Sequence, residues 1–150
     1  MISMVRRLIL LSLLLGNTAY SAPGHFTAEI GSALMCRDSV SAIYFNEYMQ
    51  RFFGSPAFNA GGANWWRVNE SLFNSSAEYI FVGISQDFIG ATFKNSPAEL
   101  IVNIREATGI EFKQTGAEKW ISSSYSVLIR YRDRNTPSKL FCVGSPHTPF

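Results

Sequence analysis

Chemistry has few places to sit in this chain. Its two histidines, His25 and His147, fall near the two ends once an N-terminal leader is set aside. Chain ends fray unless tied down, and a general base needs a fixed hydrogen-bond geometry, so both are expected to be solvated. A metal site would need further ligands beside them. No Gly-x-Ser-x-Gly elbow occurs: Gly83-Ile84-Ser85-Gln86-Asp87 carries only its first half. Without an interior histidine, a Ser-His-acid triad has no base. Carboxylates remain: Glu70, Glu78 and Asp87 in one stretch, Glu99, Glu106 and Glu111 in another. A two-carboxylate glycosidase needs its acids only about 5–10 Å apart, a distance that sequence does not fix. The residues therefore assign no catalytic group, no metal and no cofactor. An envelope glycan-acting enzyme using carboxylates stays as an alternative.

The most distinctive interior stretch is Phe58-Asn-Ala-Gly-Gly-Ala-Asn-Trp-Trp66. It lacks the spacing and the Lys-Ser/Thr pair of a phosphate loop. On an extended backbone Trp65 and Trp66 point to opposite faces. One reading has one indole plugging the core while the other packs under a loop. The other has a polar, flexible loop that presents Phe58 or Trp66 to a partner, since amphipathic aromatic rings flanked by Asn and Gly suit protein or sugar contacts. Phe58, Asn59, Asn64, Trp65 and Trp66 are the candidate partner-binding residues. Asn69-Glu-Ser71 and Asn74-Ser-Ser76 have the form of glycosylation sequons and mark an exposed turn. Arg130 and Arg132 share one strand face, which reads as a solvated edge or as a cationic contact.

The elements that must position these residues follow from period and punctuation. Ala42, Phe45, Met49 and Phe52 recur at helical spacing after Asp38 or Ser39, and Val40, Ile43 and Tyr44 widen the stripe into a heavily buried helix. Gly54 and Pro56 end it. Ser96-Pro97-Ala98-Glu99 is a capping box with Pro at the first helical position. Leu100, Ile101, Ile104 and Ala107 continue it, and Gly109 closes it with Ile110 packing back on Ile104. Strands are predicted at Glu78–Ser85, Phe88–Phe93, Ile110–Lys113, Tyr125–Arg132 and Lys139–Val143, with Asn64–Asn69 as a further candidate. Gln86-Asp87 and Asp133–Pro137 read as turns. This order predicts α+β architecture: an antiparallel sheet of about four to six strands, two main helices packed on one face, and one disulfide.

Two cysteines, Cys36 and Cys142, stand near opposite ends of residues 22–150. Neither Cys-x-x-Cys spacing nor a zinc ligand set accompanies them, so they read as one structural disulfide. The leader explains why oxidation is permitted. Arg6 and Arg7 precede the apolar run Leu8–Leu15, and Ala19 and Ser21 fit the small-residue positions before a cleavage site. Residues 1–21 are thus expected to be a signal peptide and 22–150 a single α+β domain. The run is far too short to span a bilayer, which takes about 20 residues. Cleavage removes two of the 13 Lys+Arg and leaves 11 against 11 Asp+Glu. A neutral, mixed surface lacks the basic footprint of nucleic-acid binding and the polybasic segment that seeks anionic lipid.

Together these features predict a soluble exported protein, periplasmic or secreted, whose partner is another envelope or secreted protein. In architecture it is similar to small exported bacterial α+β proteins that bind or inhibit others, such as periplasmic immunity proteins and lysozyme inhibitors. The most concrete expectation is an immunity or inhibitor protein against an envelope-directed enzyme or toxin. A small-ligand or sugar-binding module on an open sheet face is the other alternative.

Overall fold

Three helices and eight strands follow one another through residues 22–144, which a computed structural model describes. The expected leader and His147 lie outside the described residues. Helix α1 (Phe26–Leu34) was not foreseen from sequence. Its N-cap His25 makes no side-chain capping bond, and Gly31 weakens its helical signal. Tertiary packing selects it instead: Phe26, Ile30, Ala33 and Leu34 are buried. A Cβ at Gly31 would meet the Phe73 ring at 3.4 Å.

Helix α2 (Ala42–Phe53) starts two or three residues later than Ser39 or Asp38 would place it. Ser41 is the N-cap, its Oγ accepting from the Tyr44 N–H at 3.2 Å. Asp87 Oδ1 accepts the Ala42 N–H at 2.8 Å. Phe45, Tyr48 and Met49 face the core, whereas Tyr44 is exposed and Ile43 is 75 % exposed. The buried stripe is therefore narrower than expected, because Ile43 and Tyr44 project away from the sheet. Helix α3 (Pro97–Thr108) follows its capping signals. Ser96 Oγ accepts from the Glu99 N–H, and Gly109 takes a left-handed conformation with its N–H on the Arg105 carbonyl. The Glu99 carboxylate turns to Asn95 Nδ2, leaving the capping box half closed.

The strands are β1 (Phe58–Ala60), β2 (Ala63–Leu72), β3 (Ser75–Gly83), β4 (Phe88–Phe93), β5 (Phe112–Gly116), β6 (Lys119–Ser122), β7 (Val127–Arg130) and β8 (Ser138–Val143). They form one antiparallel sheet in the order β1-β2-β3-β4-β8-β7-β6-β5. Two four-stranded meanders, joined through α3, thus meet along β4 and β8. The α+β class and disulfide agree with the sequence reading, whereas eight strands and three helices exceed the expected counts. The extra strands are both short: the three-residue edge strand β1, in a stretch that reads as loop, and the four-residue β6 between β5 and β7.

Tight turns explain the meanders. Gly61-Gly62 and Phe73-Asn74 both lie at positive φ, the conformation that two-residue hairpin turns require. Asn74 of the second sequon is exposed in the second turn, but its neighbour Phe73 is buried and Asn69 marks a bulge inside β2, so this stretch is a strand hairpin rather than one exposed turn.

All three helices contribute to one hydrophobic core against one sheet face. Across that face Trp66, Ile80, Ala91, Leu140 and Leu128 sit in register on five consecutive strands. Cys36, just after α1, bonds to the buried Cys142 on β8 across a Cα separation of 5.4 Å. The bridge ties the helical layer to a central strand.

Candidate interaction face

The opposite sheet face carries a second, smaller hydrophobic cluster that contains no helix residue. Strand periodicity builds it, because alternate side chains point away from the helices. Trp65 and Trp66 divide accordingly. Trp66 is 1 % exposed within the main core, where its Nε1 donates to the Gly54 carbonyl at 2.9 Å. This corrects the expectation that Trp66 meets a partner: its indole lies beneath the helical layer. Trp65 lies on the uncovered face, and its Nε1 donates to the Ala60 carbonyl at 3.1 Å. Nor is the segment a flexible loop; most of it is the β1–β2 hairpin.

Phe58 stacks on Trp65 (centroids 5.5 Å apart, 16° between planes), and Trp65 stacks on Phe81 (4.5 Å, 27°). The Phe81 ring covers Gly90, where any Cβ would collide with it. Gly90 is thus the gap that lets an aromatic ring lie flat on the neighbouring strand. The register continues across the whole sheet as Phe58, Trp65, Phe81, Gly90, Phe141, Val127, Ile121 and Lys113. This row crosses all eight strands. Its exposure is graded: Phe58 is 45 % exposed, Trp65 8 % and Phe81 4 %.

A parallel row beside it reads Arg67, Tyr79, Thr92, Lys139, Ile129 and Lys119. Lys139 leans over Phe81, Tyr131 and Trp65, its Nζ 4.8, 5.2 and 5.6 Å from the ring centroids. Burial pushes its ammonium below the usual lysine pKa, while the negative ring faces favour the cation. Arg67 pairs with Glu78 at 3.4 Å. Among the described residues no carboxylate reaches ion-pair distance of Lys139, Lys119 or Lys113. Thr92 Oγ1, buried between Tyr79 and Lys139 in the register, has no hydrogen-bond partner there.

The other candidates are structural or separate. Asn64 Nδ2 donates to Asn46 Oδ1 at 2.9 Å, and Asn46 Nδ2 donates to the Ala42 and Gly83 carbonyls, tethering the hairpin to α2. Asn59, exposed opposite Asn64, shares the β1 edge with Phe58. Arg130 pairs with Glu118, and Arg132 lies beyond β7, so the two do not form one strand-face pair.

The carboxylates disperse into different tasks. Glu70 accepts the Ala22 N–H, Glu78 holds Arg67, and Asp87 caps α2. No group of three or more His, Cys, Asp or Glu residues that could hold a metal occurs among the described residues. His25 is exposed, as expected, but it is held rather than frayed: its Nδ1 lies 2.9 Å from the Tyr48 hydroxyl, and its ring meets Tyr48 and Phe52 edge-on. Burial, reinforced by Glu29 and Tyr44, pushes the Tyr48 phenol up to about 12. That makes it a poor proton donor at neutral pH.

Sequence reasoning missed Tyr79, Phe81, Gly90, Lys139 and Phe141. Alternation within Tyr79-Ile-Phe81 and Lys139-Leu-Phe141 carried a signal that each strand has an apolar second face. Their assembly into one row depends on β4 pairing with β8. Compared with known proteins, the chain matches no family model, no curated protein and no solved structure. Among the described residues no helix is long and apolar enough to cross a membrane.

Proposed function

We propose that this chain is an exported binding protein that acts by protein–protein contact, most concretely an immunity or inhibitor protein against an envelope-directed enzyme or toxin. The observation that carries the reading is the eight-strand row on the uncovered face, led by the exposed Phe58. Aromatic anchors held on a rigid scaffold are the usual source of binding energy at protein interfaces, and here sheet, disulfide and ring stacking pre-order them. Glu70, Glu78, Asp87 and Glu99 are each engaged in hydrogen bonding, capping or ion pairing, which gives these acids a structural use. A sugar-binding reading comes second, favoured by the stacked Phe58–Trp65 pair at the sheet edge, which offers a flat apolar platform.

The test places a photo-crosslinking amino acid at Phe58 on the open face and at Ile43 on the helical layer, in protein expressed with its leader. A single stoichiometric envelope hydrolase or secreted toxin captured from Phe58 and not from Ile43 supports the reading. Capture from Ile43 alone moves the interface to the helices. Glycan retained without protein replaces the reading with the second one.

A further inference from the structure

We infer that the open face docks an acidic protein surface, an apolar ridge flanked by Asp or Glu, laid across the strands; this rests on the protein-binding reading above. Shape and charge lead to the same occupant. Six inter-strand steps of about 4.8 Å make the uncharged part of the row, Phe58 to Ile121, roughly 29 Å long, comparable to an interface-forming ridge rather than to a small-molecule pocket. At its far end Lys113 and Ile121, together with Phe112, Tyr125 and Glu111, line an open groove of about 510 Å³, so the row ends in a recess.

Charge decides what flanks the ridge. The face presents Arg67, Lys139, Lys119 and Lys113, and of these only Arg67 has its carboxylate, Glu78, among the described residues. Glu118 is occupied by Arg130, and Glu111 stands alone at the recess. Lys139 is the most demanding of these cations, because its rings have already removed part of its water. A partner carboxylate beside Lys139 would supply the counter-charge that this protein withholds. A second copy laid face to face would set the same lysines against one another. An anionic membrane would suit the lysines, but insertion needs protruding rings, and Trp65 and Phe81 lie flat and nearly buried.

The test uses two fluorescein-labelled amphipathic peptides with one shared Leu/Phe face, flanked by Glu in one and by Lys in the other. Binding to the mature protein is read by anisotropy at low and high salt. The Glu peptide is expected to bind about tenfold tighter, as two or three exposed ion pairs would give, and salt should erode that preference. Lys113→Glu with Lys119→Glu, both at exposed positions, should reverse it. Lys139→Met, which keeps a flexible apolar chain over the rings, should weaken the Glu peptide alone. Equal affinity for the two peptides, or indifference to the double reversal, overturns the inference. So does stronger binding to phosphatidylglycerol vesicles than to either peptide. The underlying reading fails separately, when crosslinking from Phe58 captures no protein. If Phe58 does capture a partner whose apposed surface lacks Asp and Glu, only the acidic occupant is wrong.

Discussion

Two adjacent tryptophans show how one residue step separates stability from recognition. Trp66→Ala would empty a large core site and strand the Gly54 carbonyl, with an expected cost of about 3–5 kcal/mol. Phe58→Ala removes a half-exposed ring whose stack on Trp65 contributes about 1 kcal/mol. Chemical denaturation should therefore show a large loss for the first and a small one for the second, while partner affinity falls for Phe58→Ala. A Trp66→Ala protein as stable as the parent would contradict the core placement. Titration offers a second check at this scale. Burial, with Glu29 and Tyr44 nearby, pushes the Tyr48 pKa from the ordinary 10.0 up to about 12 in the folded state. The folded state holds this proton more tightly, so its contribution is complete below pH 10 and lost as pH rises from about 10 toward 12. Melting temperature followed through that window should fall less steeply in Tyr48→Phe than in the parent.

At the scale of elements, local signals were strong where the chain punctuates itself. Ser96, Pro97 and Gly109 placed α3 almost to the residue, because caps act on the backbone and need no distant partner. Helix α1 lacked such signals and exists because Phe26, Ile30 and Leu34 have a sheet to cover. The edge strand β1 escaped notice for a related reason: at three residues it carries almost no periodicity, and the Gly61-Gly62 turn gives it β2 to pair with. Contact between β3 and β4 supplies the sharpest test here. Gly90→Ala places a methyl inside the Phe81 ring's position, so Phe81 must leave its stack on Trp65 or the strands must separate. The expected cost is about 3 kcal/mol, at the upper end for overpacking, with loss of the Phe81 upfield ring-current pattern in proton NMR. A variant with unchanged stability and spectrum would mean that Phe81 does not lie over Gly90.

For the whole molecule the disulfide is the longest constraint, linking positions 106 residues apart. In the chain-entropy model, closing such a loop stabilises by about 4–5 kcal/mol. Reduction, or the Cys36→Ser/Cys142→Ser double variant, is expected to lower unfolding stability by that order while the sheet still forms. Denaturant midpoints measured with and without reductant check this, and coincident curves would show that the bridge is energetically idle. The bridge also fixes the helical layer on β8, so the open face stays on the side that the helices leave bare.

By itself the sequence determined the α+β class, the cysteine pair, the two capped helices and the opposite orientations of Trp65 and Trp66, since these depend on period, punctuation and pairing by elimination. Which tryptophan faces the core depended on where the helices settle, and no local pattern encodes that choice. The row from Phe58 to Lys113 was likewise decided by tertiary structure, because it exists only once two meanders separated by α3 align their registers along β4 and β8.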